Sequence, residues 1–468
     1  AFSATGGGTV TVTGATNTIV TTTGTGLTVA NTAIGAGGLT FRSVSSNGAA
    51  SGIVLNTTGA SGGLTVSGTG SAGSGGTIQN STGAGIALTN VTDVSLAHLN
   101  ITTGGDDGIY GSGVTNFTLT QSTLTNNGNS VTDEGLELDN VAGTLTLNTV
   151  VITGSAHNNV WVDNASGTLS TFAVTNGSYQ NTSSIMGAHG ILLTARGTAS
   201  IGSVAITGAA FTSNFSSGVF VDVSDSAQIT DALVQGATFT SNANALTFSQ
   251  SGSASQNFRA LSNTLTGAHS HAINVFSSGT ATGGSLNGRI VGNTIGAAGV
   301  TNSGSATGDG IRARIQAQTN GVLLIDTNVI RQTPNGRGIE VVGGSDSLDV
   351  TITNNDVNPQ AALGASLAAI LVNAGNPTGG QFGFVRSDVR TNTVPSQTDS
   401  LDALNGEYLV LDEDSSTTLQ LVNTSGAANA STQLDNTNTG SAAAYSSGTV
   451  DLIAGPIGLP PLQAADGQ

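Results

Sequence analysis

One short pattern recurs along this chain and restricts its fold more than any other feature. It is a Gly or small polar residue, an apolar residue, any residue, and a second apolar residue. It reads as GLTVAN, GIVLNT, GIALTN, GIYGSG, GLELDN, NVWVDN, GILLTA, GVFVDV, ALTFSQ, AINVFS, GIRARI, GIEVVG, AILVNA and YLVLDE. The first apolar positions are Leu27, Ile53, Ile86, Ile109, Leu136, Val160, Ile191, Val219, Leu246, Ile273, Ile311, Ile339, Ile370 and Leu409. Thirteen steps separate the first from the last, a mean period of about 29 residues, which lies in the range of solenoid repeats.

A second alternating stretch lies between anchors, as in VSLAHLNI, FTLTQSTL, LTLNTVVI, FRALSNTL and LLIDTNVI. Period-2 alternation broken by Gly, Asn and Ser is the pattern of short strands and turns. No repeat of this size buries its apolar face alone, whereas stacked repeats bury a continuous core. The spacing predicts an all-β, elongated, right-handed parallel β-helix of about 14 coils of about 29 residues. The hand follows from the crossover rule. Steps of 23 to 39 residues suit a three-faced helix whose turns absorb insertions.

The expected organisation is capping strands over 1–26, the β-helix over 27–423, and a C-terminal linker or anchoring tail over 424–468. The tail is small, polar and finally Pro-containing, and GTVDLIAG within it is a strand suited to closing the last coil. Asn263, Asn293, Asn328, Asn355 and Asn392 stand at equivalent places in successive coils. Stacked Asn side chains hydrogen-bond along a stack of strands, so these five predict a structural ladder.

Composition narrows the partners. All ten basic residues are Arg, against 27 acidic residues and a net charge of −17, which disfavours nucleic acid and anionic membranes. Without cysteine, neither disulfides nor thiolate metal sites brace the fold. No run of about 18 apolar residues predicts a membrane span. The opening AFSATGGGTV has neither Met nor a signal peptide, as expected if a leader was removed or the chain is part of a longer one. The expected location is extracellular or at a cell surface.

The stretch from GLTVANTAIGAGGLTF through GAGIALTNVTDVSLAHLNI, continuing into GVTNFTLTQSTLTNNG, resembles a module of very large, repetitive bacterial secreted and cell-surface proteins. The resemblance covers most of the chain. It implies a right-handed β-helix of the broad pectate-lyase-like type and supplies no catalytic residues.

Residues one and three places after each anchor are expected to point outward. The first outward column then contains Tyr110, Glu137, Trp161 and Phe220, and the second Asp139, Asp163 and Asp222. Coils stack about 4.8 Å apart, so Trp161 is expected beside Glu137 and Asp139 beside Asp163. Aromatics next to paired carboxylates suit a polysaccharide groove, and the Asp139–Asp163 pair approaches the spacing of a retaining glycosidase. The plainer reading is turn chemistry, since Asp followed by Asn, as in LDN and VDN here, is common at the end of a strand.

Trp161, the only Trp, is expected to be covered by Tyr179 or Met186 of the NGSYQNTSSIMGAH insertion, or by another copy of the chain. GGDDGIYG, GAHGILL and DGIRARI resemble fragments of polygalacturonases, but the chain lacks the Lys of that family's basic motif and the fragments lie coils apart. They are read as repeat grammar. DEGLELDN, VDVSDS and LVLDEDSS offer Ca2+ oxygens without matching a known loop, so no cofactor is assigned. The Thr-rich strands do not keep Thr in one outward column, which speaks against an ice-binding plane.

The resulting reading is a non-catalytic structural or adhesive β-solenoid: a surface stalk, filament subunit or secreted passenger. Its expected partners are other copies of itself, cell-surface components or polysaccharide. The alternative is a carbohydrate-active enzyme or binding module using the outward aromatic and acidic residues.

Overall fold

The computed structural model describes residues 1–181, 186–278, 281–344, 347–359 and 368–375. Beyond these it describes 384–394, 409–413, 418–422, 438, 444–446 and 450–453. The chain forms two compact units, residues 1–220 and 221–468. Each is a parallel β-solenoid, and together they hold about 13 turns of about 28 residues. No described residue is helical, and no helix is long and apolar enough to cross a membrane.

Three strands make a turn, one for each of three sheets, as far as Asp356–Asn358; beyond it the described strands belong to the first two sheets. In the first unit the first sheet runs Phe2–Thr5, Leu27–Ala30, Ile53–Asn56, Ile86–Thr89, Ile109–Ser112, Leu136–Asp139, Val160–Asn164 and Ile191–Ala195, all parallel. In the second unit it runs Asn244–Gln250, Ile273–Ser277, Ile311–Gln316, Ile339–Gly344, Ile370–Ala374, Leu409–Glu413 and Ala444–Ser446. Parallel pairing therefore reaches beyond 27–423 on both sides. Residues 1–26 supply strands for all three sheets. Val450–Ile453, inside the GTVDLIAG stretch, pairs with Leu419–Val422.

The repeat sets this register. Each anchor is the Cα partner of the next, as in Ile86, Ile109, Leu136, Val160 and Ile191. Every anchor from Leu27 to Ile370 is at most 1% exposed. At about 1.5–3 kcal/mol for each buried aliphatic side chain, this column is a main source of stability. The Gly that precedes many anchors has a steric reason. A Cβ on Gly108 would lie 2.5 Å from the Gly135 carbonyl oxygen, and one on Gly310 would lie 2.7 Å from that of Gly338. The next coil's backbone occupies the space a side chain needs.

The corner between the second and third sheets is also built residue by residue. One residue there takes a left-handed conformation: His98, Gln121, Thr149 and Asn176 in the first unit, Ser262, Thr327, Asn354 and Thr391 in the second. That conformation costs a non-Gly residue roughly 1–2 kcal/mol, so the neighbouring contacts must offset it. In the second unit the next residue is the repeated Asn. Asn263 Nδ2 donates to Asn293 Oδ1, Asn293 to Asn328, Asn328 to Asn355 and Asn355 to Asn392, each at 2.9 Å. Asn392 Nδ2 donates in turn to Asn438 Oδ1 at 3.0 Å. Asn263 through Asn392 are buried, and each Oδ1 from Asn293 onward also accepts the backbone N–H of the preceding ladder Asn.

Candidate functional site

Outward side chains of the first sheet in the first unit lie in the expected columns. Tyr110, Glu137, Trp161 and Leu192 are consecutive Cα partners, as are Ser112, Asp139, Asp163 and Thr194. Most of the polar groups here are engaged with a neighbouring coil. The Tyr110 hydroxyl donates to Asp139 Oδ2 at 3.2 Å. Arg196 holds both oxygens of the buried Asp163, with Nε 2.9 Å from Oδ1 and Nη2 2.6 Å from Oδ2. Trp161 Nε1 donates to Thr194 Oγ1 at 3.3 Å. Burial raises the Asp139 carboxyl above its ordinary range, Asp163 adds to the rise, and Tyr110 and Arg196 oppose it. Burial and the nearby Asp139 raise the Tyr110 phenol in the same way.

Trp161 is half-buried, but not beneath the residues expected to cover it. Tyr179 occupies an inward position of Ser178–Gln180, between Ile152 and Phe211 in register. It is fully buried and stacks on Phe211 with ring centroids 5.3 Å apart. Strand parity sends its ring into the core rather than over the indole. Met186 is 86% exposed, and residues 182–185 of the insertion lie outside the described residues. Phe220 is half-buried and tilted against the His189 ring at 5.2 Å. In the second unit Asp222 accepts the Ser249 hydroxyl, and burial raises its carboxyl.

A second column, absent from the sequence reading, lies two residues before each anchor. In the first unit it runs Asp107, Glu134, Asn158, His189 and Ser217. Asp107 Oδ1 accepts the Glu134 N–H at 2.6 Å, Asn158 Oδ1 that of His189 at 2.9 Å, and His189 Nδ1 that of Ser217 at 3.0 Å. The second unit repeats the device. Asn244 Oδ1 accepts the His271 N–H at 3.1 Å, His271 Nδ1 that of Asp309 at 3.0 Å, and Asp309 Oδ1 that of Arg337 at 2.7 Å. Asp107, His189 and Asp309 come from the three polygalacturonase-like fragments. Each has the same local task, accepting a corner N–H from the next coil. Burial lowers both His189 and His271 to about 4, and the Arg312 charge adds to the effect on His271.

Where this column meets Glu137, three carboxylates converge. One oxygen from each of Asp107, Glu134 and Glu137 lies within 4.8 Å of the others. Burial raises Asp107 and Glu137, and the neighbouring carboxylates raise them further. Glu134 has no exposed side-chain surface. Its Oε1 meets His157 Nδ1 at 2.9 Å and Asn158 Nδ2 at 3.1 Å, while its buried Oε2 has no hydrogen-bond partner among the described residues. In the second unit Glu340, 3% exposed, is ringed by arginines. Arg337 Nη1 lies 2.8 Å, Arg314 Nε 2.9 Å and Arg312 Nε 3.4 Å from its carboxylate.

Fold and site together define a parallel β-solenoid with an acidic and aromatic outward face on its first unit. No family model, curated protein or solved structure matches the chain.

Proposed function

We propose that this chain is an exported, non-catalytic β-solenoid acting as a structural or adhesive element of a bacterial cell surface: a stalk, a filament subunit or a secreted passenger. Its fold relation would be to the right-handed, pectate-lyase-like helices of large repetitive surface proteins. One observation carries the reading. Polar side chains that would do chemistry on an open face are occupied between coils, Asp163 by Arg196 and Asp139 by Tyr110. A carboxylate held through both oxygens by a guanidinium is a poor nucleophile. The low charge density and the absence of Lys suit a surface-exposed stalk. Antibody labelling of intact producing cells tests this. Labelling without permeabilisation is expected, and a protein confined to the cytosolic fraction overturns the reading.

A second reading rests on a different observation. Tyr110, Glu137 and Trp161 are neighbours in one half-buried outward column, and Glu137 holds its proton unusually well. This arrangement suits polysaccharide binding or acid catalysis. A binding screen against acidic and neutral polysaccharides tests it. Retention lost in Trp161→Ala would support it, and no retention by any polymer would remove it.

A further inference from the structure

We propose that Asp107, Glu134 and Glu137 form a Ca2+ site that clamps two successive coils, an inference beyond the structural reading above. Asp107 belongs to the coil anchored by Ile109, whereas Glu134 and Glu137 belong to the next, anchored by Leu136. An ion held by all three would tie those coils together from outside the core. Oxygens within 4.8 Å of one another fit a shared ion at Ca2+–oxygen distances of about 2.3–2.6 Å. The donors are all carboxylate oxygens, the set chosen by a hard cation rather than by zinc or copper.

Glu134 Oε2 points to a ligand independently of that clustering. It belongs to a fully buried carboxylate and has no hydrogen-bond partner among the described residues, while the other oxygen is held by His157 and Asn158. A buried carboxylate oxygen without a partner is costly, and a coordinated cation removes the cost. The charge balance agrees. Residues 1–220 hold only two arginines, Arg42 and Arg196, and Arg196 is bound to Asp163. One Asp107 oxygen accepts the Glu134 N–H, and the hydrogen bond between the Asp107 and Glu137 carboxyls is the contact an ion would replace. Glu137 is half-buried, so water can complete the six to eight ligands that Ca2+ takes.

The chain carries its own reporter. Trp161 is the only Trp and the Cα partner of Glu137, close enough to sensitise a lanthanide at the site. Tb3+ is added to the full chain, with excitation at the red edge of the indole band where tyrosine does not absorb. Sensitised emission is expected, displaced by Ca2+ but not by the same concentration of Mg2+. Saturating Ca2+ is also expected to raise the thermal midpoint by several degrees. Trp161→Phe should lose the emission and keep the Ca2+-dependent shift. Glu134→Gln should lose both. Glu137→Gln, at a half-buried position, guards against a folding defect at Glu134 and should weaken Ca2+ binding by about tenfold or more. Absence of both emission and thermal shift in the wild type overturns the site. So does a Ca2+ response that survives unchanged in Glu137→Gln and Glu134→Gln.

Discussion

Replacing Asn328 by Ala removes the middle rung of the asparagine ladder, and its cost follows from the bonds that rung makes. Asn328 Oδ1 accepts both the backbone N–H and the Nδ2 of Asn293 at 2.9 Å. Its Nδ2 donates to the Ile290 carbonyl at 2.8 Å and to Asn355 Oδ1 at 2.9 Å. The residue is 0% exposed, so water cannot readily replace these four bonds. At about 1 kcal/mol net for each, Asn328→Ala should cost about 4 kcal/mol. The stranded Asn293 N–H could raise this further, because an unsatisfied buried group costs roughly 1–3 kcal/mol. Domain stabilities are about 5–15 kcal/mol, so the change is large. Urea unfolding should show a lower midpoint with an unchanged slope. Hydrogen exchange should show lost protection at the Asn293 amide and in neighbouring coils, since a solenoid is stabilised by contacts between neighbouring repeats. A loss below about 1 kcal/mol with the Asn293 amide still protected would show that the rung carries little of the stability.

Other perturbations test other parts of the fold. His189 is held near 4, below its ordinary 6.5, so the unfolded chain binds the proton more readily. Its contribution is present above pH 6.5 and declines as pH falls toward 4, by up to about 3 kcal/mol. His189→Asn, which retains an acceptor of the kind Asn158 supplies one coil earlier, should flatten that part of the stability-versus-pH curve. Gly310→Ala should cost about 1–3 kcal/mol in urea unfolding, because its Cβ meets the Gly338 carbonyl oxygen at 2.7 Å. Ile191→Asp places an unpaired charge at a 0% exposed anchor and should unfold several coils, visible as lost β circular dichroism.

The anchors were legible in the sequence because strand parity is strict: an apolar residue at every other position has one buried face to occupy. The asparagine ladder was legible because five coils use the same residue for the same bonds. The corner column of Asp107, Glu134, Asn158 and His189 was hidden for the opposite reason. Its task is to lace one coil to the next at the corner, and carboxylate, amide and imidazole all manage it, so the residue type changes from one coil to the next. The available signal was positional, a polar residue two places before the anchor. Convergence of Glu134 with Asp107 and Glu137 depends on how a turn folds beside a strand, which periodicity does not encode. Tyr179 lies in a stretch whose Asn, Ser and Gly content suits a loop, but its parity in strand Ser178–Gln180 sends it into the core.

The most direct test of the structural reading uses wild type, Asp139→Asn and Asp163→Asn, with two measurements on the same preparations. One is the thermal midpoint; the other is release of reducing or unsaturated sugar across a panel of acidic polysaccharides. No product is expected from any preparation, together with a lower midpoint for Asp163→Asn, which leaves Arg196 without its bidentate carboxylate. Product released by the wild type and lost in either variant, with the midpoint unchanged, would contradict the structural reading.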